Sequence, residues 1–69
     1  KFKTQLTKML ISSAEADKSK ALLTLELLAN HPAGIGDHST DDFYKNAEEA
    51  LEALADADDK LEAIEKYLK

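Results

Sequence analysis

His31, Asp37 and His38 lie within eight residues of one another, and imidazoles with a carboxylate form a donor set that suits zinc or a similar divalent ion. Three ligands are one short of a closed structural site, so the favoured reading is plainer. Asp37 makes an Asx turn or helps to cap the helix that follows, and the two histidines are polar loop residues facing water. The neighbouring Gly34-Ile35-Gly36 follows a helical stretch instead of a strand and lacks the Gly-Lys-Ser/Thr ending of a phosphate-binding loop. Asp56, Asp58 and Asp59 sit inside a regular helical pattern with no glycine at the turn that a calcium loop demands. Ser12, Ser13, Ser19 and Ser39 have no evident general base, because both histidines belong to the loop. No catalytic residue, resident metal or cofactor is therefore expected, and the chain reads as a non-enzyme.

The elements that carry these residues follow from composition. The chain has 69 residues, with 11 Ala, 11 Leu, no Val, two Gly and one Pro, a balance that favours helix and starves strand. Its length allows one small domain, and there is no Cys to staple it. An all-α chain that gains stability by oligomerising is the expectation.

In the second half, Phe43, Ala47, Ala50, Leu54, Ala57, Leu61, Ile64 and Leu68 are spaced 4-3-4-3-4-3-4. That spacing marks the seam of a coiled-coil-like helix, small-residued near its start and bulkier toward its end. Ser39 or Thr40 can cap it, Asp41 and Asp42 fall in its first turn, and Lys60, Lys66 and Lys69 lie toward its C-terminal end, all favourable to the helix dipole. The helix is expected over about 40–67.

The first half reads as a helix over about 4–29, since no Gly or Pro interrupts it. Its apolar residues cover far more of the circumference. Leu6, Met9, Leu10, Ala14, Ala21, Leu25, Leu27 and Leu28 form the broad face, with Ile11 and Leu22 on one flank and Phe2 and Leu23 on the other. Only Lys8, Ser12, Glu15, Ser19 and Glu26 make a polar face. One partner helix cannot cover so wide a surface, so a second chain is expected to do so, with Ile11, Leu22 and Leu23 as candidate oligomer contacts.

Residues 30–39 hold the only Pro and both Gly and must form the turn. The residue before Pro32 is pushed out of the α region, and Gly34 and Gly36 supply the backbone freedom a reversal needs. Ile35 is expected to fold back over the open end of the hairpin. About ten residues is long for a helix connection, so His31, Pro32, Gly34, Ile35, Gly36, Asp37 and His38 are also a candidate partner-binding loop.

Charge excludes several partners. Residues 1–36 carry a net +2 and residues 37–69 a net −7, and there is no Arg, which disfavours nucleic acid. No apolar run approaches the roughly 20 residues that cross a bilayer, and Lys1-Phe2-Lys3-Thr4 lacks the apolar core of a signal peptide. A soluble, intracellular protein is expected, with no membrane partner.

The run Asn30-His31-Pro32-Ala33-Gly34-Ile35-Gly36-Asp37-His38 stands between a Leu-rich helix and an acidic one bearing Ala57-Asp58-Asp59-Lys60-Leu61. Together with Ser12-Ser13-Ala14-Glu15-Ala16-Asp17-Lys18-Ser19-Lys20-Ala21, it resembles a family of small uncharacterised helical proteins of T4-like tailed phages, notably cyanophages. The resemblance covers most of the chain. It implies a phage source and the host cytoplasm as location, and it brings no activity and no site residues. The expectation is an α-hairpin of two long antiparallel helices that dimerises into a four-helix bundle and binds proteins, itself first and then a host or virion protein. An acidic decoy for a host nucleic-acid-binding protein is the second reading, and a metal-dependent activity at His31, Asp37 and His38 the third.

Overall fold

The Thr7 hydroxyl donates a hydrogen bond to the main-chain carbonyl of Leu68 at 3.4 Å, and Lys18 Nζ lies 3.1 Å from Asp58 Oδ1. Residue numbers that rise along one side of such contacts fall along the other, which requires two antiparallel segments. The computed structural model describes residues 2–30 and 40–69 and consists of two helices, α1 (Phe2–Asn30) and α2 (Thr40–Tyr67). The fold is an all-α hairpin, with no strand among the described residues. It is a rod of 51 × 14 × 14 Å.

α2 packs as its spacing demands. Ala50, Ala57 and Ile64 are buried, and Phe43, Ala47, Leu54, Leu61 and Leu68 half-buried, while every other residue from Asp42 to Lys69 is exposed. Strict 3-4 spacing keeps the apolar positions on one line of the helix, so one neighbour covers them all. Glu65 and Lys69 close an ion pair one turn apart at 3.0 Å on the outer surface.

The seam of α1 is less apolar than the sequence suggests. The buried and half-buried residues include Thr7, Ile11, Ala14, Lys18, Ala21, Leu25 and Leu28, again in 4-3-4-3-4-3 order. Two of these seven are polar. Thr7 is accommodated because Leu68 ends the helical hydrogen bonding, its N–H donating to the Ile64 carbonyl at 2.8 Å while its own carbonyl accepts from Thr7. Lys18 runs its apolar stem along the seam and keeps its ammonium at the edge, against Asp58.

Ile11, expected on a flank of α1, lies instead in this seam, one turn from Thr7 and one from Ala14. The reason is register. With Thr7 and Lys18 filling seam positions, the line of contact passes through residue 11 and leaves Leu6, Met9 and Leu27 outside it.

Ala14, Ala21, Ala50 and Ala57 are all buried, so small side chains fill much of the seam at mid-rod. The core is small, and among the described residues no large side chain is fully buried. A radius of gyration of 15.6 Å, against about 11 Å for a compact chain of this length, expresses the same thinness.

Candidate functional site

α1 has a second face. Leu6, Met9, Leu23 and Leu27 are 51%, 54%, 55% and 52% exposed, and with Ser13, Ala16 and Lys20 they complete a line at 6, 9, 13, 16, 20, 23 and 27. Its spacing, 3-4-3-4-3-4, is that of a packing seam, rotated about the helix from the one that meets α2. All seven residues are exposed. At about 1.5 Å per residue the line is about 30 Å long, most of the length of α1.

This second seam explains the width of the apolar surface of α1. A helix touching one neighbour carries one stripe, and a helix between two neighbours carries two. Of the three residues expected to meet another chain, Leu23 belongs to the second seam. Leu22 is 47% exposed but lies 100° of helical rotation away, on the other side of the line to α2. Ile11 faces inward. The sequence shows Leu6, Met9 and Leu27 as part of one broad stripe, although counting 3-4 steps from Leu6 separates them from the residues that pack inside.

Beside this seam, between the helices, runs an open groove of about 470 Å³. Ala21, Ala50, Ala53 and Ala57 line its floor, and Asp17, Lys20, Glu49, Asp56 and Lys60 its rim. Acids and lysines alternate there without a nucleophile, an imidazole or an aromatic platform to give a small molecule a fixed orientation. Thr24, also on the wall, donates its hydroxyl to the Lys20 carbonyl at 2.9 Å within its own helix. The groove is the shallow trough between two alanine-packed helices.

α2 presents a different surface. Over Thr40–Tyr67 it carries ten acids and three lysines, whereas Phe2–Asn30 carries three acids and four lysines. Asp56, Asp58 and Asp59 are exposed on α2, and Asp58 is committed to Lys18. Among the described residues, no group of three or more His, Cys, Asp or Glu is placed to hold a metal ion. His31, Pro32, Gly34, Ile35, Gly36, Asp37 and His38, the candidate loop site, and the expected Ile35 plug lie outside the described residues.

The described surface thus includes a nearly neutral line on α1 with apolar residues at both ends, and an acidic α2 that also exposes Tyr44, Leu51 and Tyr67. No family model, curated protein or solved structure matches this chain. No helix is long and apolar enough to cross a membrane among the described residues.

Proposed function

We propose that the hairpin is a non-enzymatic, self-associating interaction module whose contact surface is the second seam of α1. The observation that carries this reading is the exposed 3-4 line from Leu6 to Leu27. Leu6 with Met9, and Leu23 with Leu27, are exposed apolar pairs at the two ends of this line, surface of the kind that protein contacts cover, and the line is long enough for a seam of four-helix-bundle type. The thin core of a single hairpin supports the same conclusion, since a chain this small without disulfides gains most from burying surface against a neighbour.

Light scattering after size exclusion at micromolar concentration tests the proposal. A mass of twice the 7.6 kDa chain is expected, with a shift to the monomer in Leu23→Glu/Leu27→Glu at unchanged helical content. A wild-type monomer would sink it.

The acidic back of α2 favours a second reading, in which the module also offers its carboxylates to a basic host or virion protein in the infected-cell cytoplasm. The phage resemblance supports that setting. Salt-sensitive capture of nucleic-acid-binding proteins by the intact hairpin, lost when Glu48, Glu49 and Glu52 are changed to Gln, is the expected result.

A further inference from the structure

Resting on the self-association just proposed, we infer that the partner on the second seam is another copy of this chain with its α1 antiparallel to the first and both α2 helices outside. Charge selects the face. α2 carries seven more acids than lysines, whereas α1 carries one more lysine than acids, so pairing α1 with α1 keeps the two like-charged backs apart. Acidic residues line α2 on both sides of its own seam, and any contact between two α2 surfaces confronts carboxylates with carboxylates.

Lys20 selects the direction. It is the fifth of the seven positions of the second seam, between Ala16 and Leu23. Parallel pairing in register sets it against the partner's Lys20, and like charges directly opposed are destabilising. Antiparallel pairing, with facing residue numbers adding to 29, sets Leu6 against the partner's Leu23, Met9 against the partner's Lys20 and Ser13 against the partner's Ala16. Each pair occurs twice by symmetry. The large apolar residues then meet at both ends, the small ones let the backbones approach at the centre, and the unbranched Met9 gives the lysine stem a surface to lie along while its ammonium reaches water.

The helix ends agree. The first turn of α1 has no acidic residue and its last turn no basic one, so neither end of its dipole is offset by its own side chains. Antiparallel neighbours place the positive end of one α1 beside the negative end of the other.

The chain has no cysteine, so single Gln5→Cys and Ser12→Cys variants, both at exposed positions, take one nitroxide label per protomer. Pulsed electron–electron distance measurements on the dimer, with its mass checked by light scattering, test the arrangement. The antiparallel pair places the two Gln5 labels about 30 Å apart and the two Ser12 labels about 10–15 Å apart, from about 1.5 Å rise per residue and about 8–10 Å between helix axes. Short distances at both positions would mean a parallel pair and overturn the orientation while leaving self-association intact. Long distances at both would move the contact to another face and overturn the inference. A monomer by light scattering would remove the underlying proposal itself.

Discussion

α1 and α2 are nearly equal in length, 29 and 28 residues, and pack along the same interface, yet they use sequence differently. α2 packs an unbroken apolar line against α1 and carries most of its acids elsewhere, though Tyr44, Leu51 and Tyr67 stay exposed. α1 spreads leucines around its circumference and places Thr7 and Lys18 where the hairpin packs. The difference separates two jobs that hydrophobic side chains perform. In α2 the eight seam residues make the fold while Tyr44, Leu51 and Tyr67 stay in water, and in α1 Leu6, Met9, Leu22, Leu23 and Leu27 are left exposed once the fold is made. Under the proposed reading, the apolar residues that α1 keeps in water are the contact surface.

Substitutions sharpen this contrast, beginning with the seam of α2. Ile64→Ala removes a buried side chain near the thicker end of the core and is expected to destabilise the hairpin by about 2–5 kcal/mol, read as a lower urea midpoint. The equivalent truncation in the second seam, Leu23→Ala, is expected to change the dimer dissociation constant while altering monomer stability by less than about 1 kcal/mol, because Leu23 is half in water already. Equal effects of the two on monomer unfolding would erase the distinction between the helices.

Overpacking gives the next largest effect. Ala57 is only 1% exposed and sits where the backbones approach closely. Ala57→Leu is expected to cost about 1–3 kcal/mol in thermal or urea unfolding, whereas Ala16→Leu on the second seam leaves the monomer unaffected. Lys18→Leu, which makes the α1 seam resemble that of α2, is expected to be neutral or to stabilise by up to about 1 kcal/mol. The Lys18–Asp58 pair it removes is substantially exposed and such pairs are worth little. Marked destabilisation in urea would show that the pair fixes the helix register. The smallest effect belongs to Glu65→Gln, which breaks the surface pair with Lys69 and is expected to cost about 0.3–0.5 kcal/mol at low salt and less in high salt.

The eight seam residues of α2, Phe43 through Leu68, are legible in the sequence because every one is apolar and no step of the 3-4 pattern is missed. The seam of α1 is obscured for the opposite reason. Two registers overlap on one helix, and the one that packs inside the hairpin contains a threonine and a lysine, so an apolar count follows the exposed register as readily as the buried one. On an apolar count Ile11 therefore falls on a flank, whereas it is half-buried in the seam. The position of Lys18 becomes intelligible only when Asp58 is beside it, and that of Thr7 only when the end of α2 arrives to offer an unsatisfied carbonyl.

By itself, then, the sequence determined that this chain is two helices joined by a turn, and which line of α2 is covered. Helix propensity, Gly and Pro placement and 3-4 periodicity are properties of neighbours along the chain. Tertiary structure decided which of two lines on α1 meets α2 and which is left in water. That choice depends on a lysine reaching an aspartate forty residues away and on a hydroxyl meeting the last turn of the opposite helix, contacts that exist only once the two helices lie side by side.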